Sequence, residues 1–415
     1  MKEILVYADW QGLGEPAKIG VLRTEQVRGE EIFSFVYDSV WLNSGNAKYI
    51  DPDLKLYTGP QYINDYKPNF GVFLDSSPDR WGRMLLERKE AIEARHEQRQ
   101  KKRLTESDFL LGLSDETRMG ALRFKLNEEN AFLADSSMMK TPPLTSIREL
   151  EQISLKVEDD GFFESKDAAK WLNILVAPGS SLGGARPKAN VIDPEGNLWI
   201  AKFPSNNDYT DKGAWEYLVY QMANEMGINM SVSHAQKYSQ NQNTFLTKRF
   251  DRNKDIRIHF ASAMCLLGYK DGYSFKDGGS YLEIVELIEQ YGVDPTKDIR
   301  ELWKRIVFSV AISNTDDHLR NHGFLMTKHG WKLSPAYDIN PTENASGLSL
   351  NISENDNSLD FDLCMDVIDY YRWNEKEAME YITKTKEVAS TWRIRANNIG
   401  ISKLEQNIME SAFLP

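Results

Sequence analysis

The stretch that decides the fold reads Ser313-Asn314-Thr315-Asp316-Asp317-His318-Leu319-Arg320-Asn321-His322-Gly323. It follows an apolar run, from Ile306 to Ile312, that can only be buried. Folding gains nothing from placing two acids and a histidine at the end of a buried element. The stretch therefore predicts a functional site at the end of a core helix.

The interval between Asp316 and Asn321 is that of a kinase catalytic loop, Asp-x-x-x-x-Asn. In such a loop the acid accepts the proton of the attacking hydroxyl, and the amide oxygen binds a magnesium ion. Asp338, in Tyr337-Asp338-Ile339, adds a second hard oxygen ligand, and Mg²⁺ needs only one or two carboxylates besides phosphates. Considered alone, Asp338 is equally typical of a turn cap before Asn340-Pro341.

Two further residues of this stretch have open roles. Asp317 lies one residue out of register, so we expect it to cap the loop or to face the solvent; an exchange of roles with Asp316 stays open. His318 either hydrogen-bonds a phosphate or holds the shape of the loop, as a lone histidine more often does.

Upstream, the segment Gly179–Lys188 is a glycine-rich loop followed by a strand pair. Glycines let backbone N–H groups approach phosphate oxygens, and Arg186 or Lys188 adds charge, although a plain turn has the same composition. Lys202 lies in an apolar strand and needs an anion, unless it is an edge lysine with its head in water. Glu216, on the following helix, could pair with Lys202 as the strand–helix ion pair of kinases does.

The composition and the hydrophobic pattern of the chain limit the architectures that it can adopt. The chain has 415 residues, 41% hydrophobic and 27% charged, which is typical of a soluble protein of two or three domains. We predict an α+β, two-lobed, protein-kinase-like fold. Its parts would be a β-rich N-terminal subdomain (1–140), an N-lobe with the glycine-rich loop (141–252) and a helical C-lobe (253–415). The helices expected in the last part span 259–268, 280–291, 298–314, 375–398 and 402–412.

The same totals exclude several classes of function. A net charge of −12 argues against a protein that binds nucleic acid by itself, without a basic partner. The apolar start contains Asp9 and is not expected to be a signal peptide, and no apolar span is long enough for a membrane helix. The two cysteines, Cys265 and Cys364, are expected to be reduced structural thiols of a cytoplasmic protein. The acids between Glu354 and Asp366 lack the glycine and closing glutamate of a calcium loop.

At these motifs the sequence resembles the HipA family of serine/threonine kinases, the toxins of bacterial toxin–antitoxin modules. The resemblance covers nearly the whole chain. Its motifs are Ser181-Leu182-Gly183-Gly184-Ala185-Arg186-Pro187-Lys188, Ile200-Ala201-Lys202-Phe203-Pro204, Arg249-Phe250-Asp251-Arg252, Asn314 to Asn321, Tyr337-Asp338, and in the first region Pro78-Asp79-Arg80-Trp81-Gly82 and Gly120-Ala121-Leu122.

The resemblance implies an ATP- and Mg²⁺-dependent protein kinase in which Asp316 is the catalytic base and Asn321 and Asp338 hold the metal. It implies that Lys202 contacts the ATP phosphates and that a hinge at Lys248-Arg249-Phe250 holds adenine. It also implies that the kinase phosphorylates itself on Ser181, which shuts down its activity. The ATP site expected from these motifs comprises Lys202, Ser181, Gly183, Gly184, Lys188, Lys248, Phe250, His318 and Tyr337.

The resemblance further implies partners. Members bind a small helix-turn-helix (HipB-like) antitoxin, and the complex represses its own operon by binding operator DNA. Known members act on aminoacyl-tRNA synthetases, with growth arrest and persistence as the result. This sequence departs from some members in the stretch His259–Cys265, which lacks their Asp and Gln.

Two other functions remain open from the sequence. A small-molecule phosphotransferase of kinase-like fold would use the same loop and magnesium residues. A non-catalytic co-repressor subunit, in contrast, would have no need for Lys202, Asp316, Asn321 and Asp338 together.

Overall fold

The computed structural model describes residues 1–63, 67–133, 141–159, 161–162, 168–176, 184–239 and 241–413. The chain divides into two compact units. The first comprises Met1–Asn206, Asp251–Ala261 and Gly268–Lys270, and the second comprises Asn207–Phe250, Ser262–Leu267 and Asp271–Pro415. The first unit is rich in strands and the second is mainly helical, which confirms the predicted α+β class. The three-part division of the chain stays a prediction.

The elements below are numbered in chain order. The strands are β1 (Lys2–Ala8), β2 (Ala17–Val27), β3 (Glu30–Tyr37), β4 (Pro60–Tyr62), β5 (Leu122–Lys125), β6 (Lys188–Ile192), β7 (Leu198–Lys202), β8 (Ser233–Gln236), β9 (Thr244–Lys248), β10 (Arg252–Asn253), β11 (Ile256–Arg257), β12 (Phe260–Ser262), β13 (Gly323–Met326) and β14 (Trp331–Leu333). The helices are α1 (Ser39–Asn43), α2 (Gly71–Asp75), α3 (Arg80–His96), α4 (Glu106–Gly112), α5 (Ile147–Glu158), α6 (Ala168–Val176), α7 (Lys212–Glu225), α8 (Ala263–Leu266), α9 (Tyr281–Tyr291), α10 (Pro295–Ala311), α11 (Phe361–Asp366), α12 (Glu375–Ser390), α13 (Trp392–Ile399) and α14 (Lys403–Ile408).

The first unit is built on an antiparallel sheet with the strand order β4-β3-β2-β1-β5. Its β2–β3 hairpin turns at Arg28 and Gly29, whose φ angles are 54° and 87°. Two successive positive φ angles match the twist of a hairpin, which is why the chain turns at this dipeptide. Alternate residues of β3, including Phe33 and Phe35, are buried, so one face of the sheet forms the core.

A second strand pair of the first unit, β6 with β7, carries the predicted phosphate-binding lysine. The register of this antiparallel pair places Lys188 directly opposite Lys202. The backbone N–H of Phe203 also donates to the carbonyl of Pro187 at 2.8 Å, which extends the pairing beyond the strand ends. The chain that leaves the glycine-rich loop is therefore held alongside Lys202.

In the second unit, aromatic packing fixes the helices on which the candidate site depends. The rings of Trp392 and Phe413 stack with centroids 4.7 Å apart, and Trp215 of α7 lies 6.0 Å from each of them. Phe308, near the end of α10, belongs to the same buried cluster. The end of α10 and the helix that carries Glu216 thus share one core.

A single acid fixes the start of α7. Asp211 is the N-cap, and its Oδ1 accepts a hydrogen bond from the N–H of Ala214 at 3.0 Å. The same carboxylate accepts from the backbone N–H of Asn243 at 2.9 Å, just before β9. One carboxylate therefore both caps the helix and ties it to the strand.

The chain also contains short strands that the sequence did not predict. The segment 259–268 was predicted to be helical, but Phe260–Ser262 is a strand and only Ala263–Leu266 is helix. The hairpin of β13 and β14 was not predicted either. These strands have three or four residues, too few to show an alternating pattern. The helix predicted over 375–398 is two helices, α12 and α13, that break at Thr391.

Two further expectations concern the whole chain. Among the described residues, no helix combines the length and the apolar character that crossing a membrane would require. Cys265 and Cys364 are buried and are not joined in a disulfide, in agreement with the prediction of structural cysteines.

Close packing at the start of α7 gives a test of the fold. A Cβ at Gly213 would lie 2.1 Å from the carbonyl oxygen of Asn243, whose own N–H is bonded to Asp211. We expect Gly213→Ala to lower the free energy of unfolding by about 1–3 kcal/mol, the usual cost of overpacking, although alanine is normally the better helix former.

Denaturant unfolding measures this effect, and Gly161→Ala is the matched control. Within the described part of the chain, a Cβ at Gly161 would meet only the Asp159 carboxylate, at an ordinary 3.6 Å. Equal unfolding midpoints for the two variants would contradict the contact between α7 and the start of β9.

Candidate active site

The loop that follows α10 presents one acid to the solvent. Asp316 is exposed. The side-chain Nδ2 of Asn321 donates to the carbonyl of Asp316 at 2.8 Å, and the N–H of Asn321 donates to the carbonyl of His318 at 2.8 Å. These bonds fix the backbone beneath Asp316, and because the amide nitrogen of Asn321 is engaged, its oxygen is the atom that remains for a metal ion.

The neighbouring acid, Asp317, is buried, so the expectation that it faces the solvent was wrong. Its Oδ2 accepts a hydrogen bond from the hydroxyl of Tyr281 at 2.7 Å and a longer one from Ser309 at 3.4 Å. Its Oδ1 lies 3.1 Å from Nε2 of His322. Asp317 therefore anchors the loop from beneath, while Asp316 is the acid that can reach a substrate.

Electrostatics within this buried cluster favour an ionised anchor. Burial raises the pKa of the Asp317 carboxyl, but the neighbouring His322 and the hydroxyl of Tyr281 outweigh it and hold the pKa below its usual value. Burial and the charge of Asp317 raise the pKa of Tyr281 well above its ordinary value. The phenol thus remains a hydrogen-bond donor, and the carboxylate remains its acceptor.

The loop that carries Asp338 adjoins the first one. The hydroxyl of Tyr337 donates to the carbonyl of Arg320 at 2.6 Å, and the N–H of Thr342 donates to the carbonyl of Ser313 at 3.2 Å. Both Ser313 and Asp338 have positive φ angles, of 51° and 57°. Non-glycine residues seldom adopt this conformation, and such strain concentrates at functional sites. The structure therefore brings the two predicted loops of the second unit together.

These loops fit a metal–nucleotide complex by their chemistry. Among the described residues, no group of three or more His, Cys, Asp or Glu side chains could hold a metal ion by itself. Mg²⁺ in phosphoryl-transfer sites needs fewer protein ligands, because phosphates and water supply the rest, and Asn321 with Asp338 meets that requirement. The buried Nδ1 of His318 has no hydrogen-bond partner within the described part of the chain, which leaves it available to a bound ligand.

The backbone of the predicted hinge already makes hydrogen bonds within the second unit. The N–H of Lys248 donates to the carbonyl of Val232 at 2.8 Å, and the carbonyl of Lys248 accepts from the hydroxyl of Ser231 at 2.6 Å. Adenine can therefore not receive the amide proton of Lys248. The ring of Phe250 lies 5.4 Å from that of Tyr337, so two predicted ATP-binding residues form one aromatic pair.

The first unit contains the remaining predicted residues, except for Glu216, which is buried in α7 of the second unit. Lys202 is buried at the end of β7. A Cβ at Gly184 would meet no atom of the described residues within 4 Å, so they impose no need for glycine there. Ser181 and Gly183 lie outside the described residues. The pairing of Lys202 with Glu216 stays a prediction.

Lys188 differs most from its predicted role. Its ammonium is buried and contacts the carboxylate of Asp79 at 2.8 Å and the carbonyl of Gly184 at 2.9 Å. These partners belong to the protein itself, whereas the sequence assigned Lys188 to phosphate. Its predicted contact with ATP has no support from this geometry.

Sequence reasoning missed the residues that support the loop. Tyr281 lies 36 positions before Asp317, and no periodic or spacing signal connects the two. Ser309 and His322 flank the recognised motif, but their side chains resemble those of any buried helix end or strand start. Only the folded chain shows that they share one carboxylate.

Comparisons with known proteins identify the relatives of this chain. The sequence profile of the HipA-like C-terminal domain matches residues 180–392. A Haemophilus influenzae protein named as a candidate kinase is 29% identical over 182 residues, which are 39% of this chain and 52% of that protein. The candidate kinase Y4dM of Sinorhizobium fredii is 28% identical over 164 residues, 35% of this chain and 37% of that protein. The matches thus span about half of the first relative and less of the second.

The fold has a counterpart among solved structures. It is similar to a chain in the complex of the Shewanella oneidensis MR-1 toxin–antitoxin system HipA, HipB and its operator DNA, with a TM-score of 0.66 and 16% identity. The similarity covers 98% of this chain and 94% of that chain. At this level of identity, it establishes the fold.

The burial of Asp317 gives a test of its anchoring role. Asp317→Ala leaves the hydroxyl of Tyr281 buried without this acceptor, and we expect a loss of about 1–3 kcal/mol in the free energy of unfolding. Asp317→Asn keeps an acceptor oxygen and should lose less. Thermal or denaturant unfolding measures both variants.

Asp316→Ala is the matched control, because Asp316 is exposed whereas Asp317 is buried. We expect its stability to remain close to that of the parent protein. An equal loss of stability at positions 316 and 317 would overturn the distinction between the solvent-facing acid and the anchor.

Proposed function

Because the chain belongs to the family of HipA-like proteins, we propose that it is an ATP- and Mg²⁺-dependent serine/threonine protein kinase that acts as a HipA-like toxin. The observation that carries the proposal is the pair of neighbouring acids. Asp317 is buried and bonded to Tyr281, which leaves the adjacent Asp316 exposed on a loop braced by Asn321. A catalytic base needs this combination of a fixed backbone and an accessible carboxylate.

In the proposed reaction, the hydroxyl of a serine or threonine gives its proton to the carboxylate of Asp316. The hydroxyl oxygen forms a bond to the γ-phosphorus of ATP, the bond between that phosphorus and the β–γ bridging oxygen breaks, and ADP leaves. Asn321 and Asp338 would hold Mg²⁺, which when bound neutralises charge on the β- and γ-phosphates. Lys202 would contribute a further positive charge to the phosphates.

The nucleotide contacts proposed for the second unit involve the aromatic pair of Phe250 and Tyr337 and the side chain of His318. The rings of Phe250 and Tyr337 offer an apolar surface to adenine, and His318 offers its unpartnered Nδ1 to a phosphate or ribose oxygen. Autophosphorylation of Ser181 would add a charge of about −1.5 to −2 to the loop that is proposed to bind the phosphates of ATP. Such a product would oppose nucleotide binding and end activity.

The proposed partners are a small helix-turn-helix antitoxin of the HipB type and, through that complex, operator DNA. The Shewanella protein of similar fold was solved together with HipB and its operator DNA. An aminoacyl-tRNA synthetase is the proposed protein substrate, the cytoplasm is the proposed location, and growth arrest with persistence is the proposed outcome.

Removal of the base gives the central test of the reaction. We expect Asp316→Asn to lower phosphate transfer by about 10²–10⁴-fold, the usual contribution of a general base, while the affinity for ATP stays near that of the parent. The measurement uses labelled ATP with a cell lysate, together with mapping of the site of autophosphorylation, which is expected at Ser181. Asp366→Asn, which changes an exposed acid on α11, is the matched control.

The same experiment separates the alternatives. Label that enters protein bands supports the protein kinase, whereas label that enters only small molecules would support a phosphotransferase of kinase-like fold. A parent protein that transfers no label at all would favour a non-catalytic co-repressor. Unchanged transfer by Asp316→Asn would overturn the assignment of the base.

Net charge gives a test of the proposed DNA complex. A chain with a net charge of −12 should not bind DNA alone at physiological salt, because affinity for DNA requires neutralisation of phosphates by a basic surface. We expect a gel shift of the operator only when the chain is combined with the helix-turn-helix protein encoded beside it. Equal binding by this chain alone would contradict the proposal.

A further inference from the structure

The motif Pro78–Gly82 has no role in the reaction proposed above, yet its acid contacts the glycine-rich segment. Asp79 is the N-cap of α3, where its Oδ1 accepts a hydrogen bond from the N–H of Gly82 at 2.8 Å. Its Oδ2 lies 2.8 Å from Nζ of Lys188, and the side chains of Asp79 and Lys188 are 0% and 1% exposed. One carboxylate therefore starts a helix and forms a fully buried ion pair.

Further bonds join the same two segments. Nζ of Lys188 donates to the carbonyl of Gly184 at 2.9 Å, and the indole Nε1 of Trp81 donates to the carbonyl of Lys188 at 3.0 Å. The ammonium thus closes the last turn of the glycine-rich segment onto the start of β6. The backbone of Lys188 is itself attached to the first turn of α3.

The strand register explains why the charge of Lys188 must be neutralised. Lys188 and Lys202 lie directly opposite each other in the antiparallel pair. Opposite residues of such a pair project on the same face, and like charges there are destabilising. Asp79 supplies the countercharge for Lys188, so that a second buried ammonium can stand beside it.

We infer that the Asp79–Lys188 ion pair is a positioning device for the nucleotide. It holds the segment Gly184–Lys188 in place beside Lys202, and it engages the ammonium of Lys188 with partners from the protein itself, so that Lys188 is a support of the loop rather than a ligand of the ATP phosphates. Asp79 and Lys188 are positioning residues that act through the loop and through Lys202. The inference rests on the proposed ATP-dependent function and reassigns Lys188 from phosphate binding to loop support.

Two neutralising variants test the inference. Asp79→Asn retains an N-cap for α3 but removes the countercharge, and Lys188→Met retains the apolar stem but removes the ammonium. We expect each to raise the KM for ATP roughly 10- to 100-fold, as misplacement of a binding group does, with kcat much less affected. Affinity for a non-hydrolysable ATP analogue should fall in parallel.

The double variant Asp79→Asn/Lys188→Met removes both charges together and leaves neither ion buried without its partner. We therefore expect its KM for ATP to rise by less than the product of the two single effects. Full additivity of the two effects would contradict an ion pair that acts as one unit.

Lys67→Met is the matched control, because Lys67 is also a buried lysine of the first unit, paired with Asp53. We expect it to lower the thermal unfolding midpoint without changing the KM for ATP. A rise in KM with Lys67→Met equal to that with Lys188→Met would show a general effect of instability and would overturn the inference.

The remaining outcomes are also decisive. If Lys188→Met raises the KM but Asp79→Asn does not, Lys188 contacts the phosphates itself and the positioning role is wrong. If neither variant folds, Trp81→Phe decides, because it removes the indole N–H that donates to the carbonyl of Lys188 while it keeps an aromatic ring and both charges; an unchanged KM would then refute the inference. A parent protein that neither binds nor uses ATP would instead refute the proposed function, which the parent's own kinetics reveal separately.

Discussion

A buried carboxylate holds the loop that carries Asp316 against the body of the second unit, because an ion removed from water needs hydrogen bonds that replace hydration. For Asp317 those partners come from the start of α9 and from both sides of the loop itself. They meet only when α9, the end of α10 and β13 have packed together. The position of Asp316 is consequently a product of the folded unit, since its neighbour cannot leave the interior without losing these contacts.

In the first unit, a buried cation is held in place in the same way. Lys188 and Lys202 are paired across two strands, and a carboxylate from the start of α3 neutralises the first of them. In each unit, a buried charged side chain is fixed by a partner that is distant in sequence, next to a residue of the same type that is predicted to act on the ligand. This arrangement confines each functional side chain to a short, well-supported segment.

Two residues with strained backbone conformations lie in the loops of the candidate site. Ser313 and Asp338 adopt left-handed conformations at the starts of the two site loops, and the loops bond to each other through Thr342 and Tyr337. The hairpin of β13 and β14 links the two loops along the chain. It sets the spacing between the predicted base and the predicted metal ligand. The site of a HipA-like protein is therefore organised by short elements that leave little trace in the hydrophobic pattern.

Local features were determined by the sequence itself: the turn at Arg28-Gly29, the N-cap of α4 at Thr105, the end of α7 just before Gly227 and the interval from Asp316 to Asn321. They depend on residues a few positions apart, whose interactions form wherever the chain places them. The sequence could not decide which of Asp316 and Asp317 is buried, nor could it show that the buried ammonium of Lys188 pairs with Asp79. Those roles depend on partners 36 and 109 residues away, Tyr281 and Asp79. Only tertiary structure brings such partners within hydrogen-bonding distance, and the cost of burying a charge then determines which residue becomes the support and which remains for the ligand.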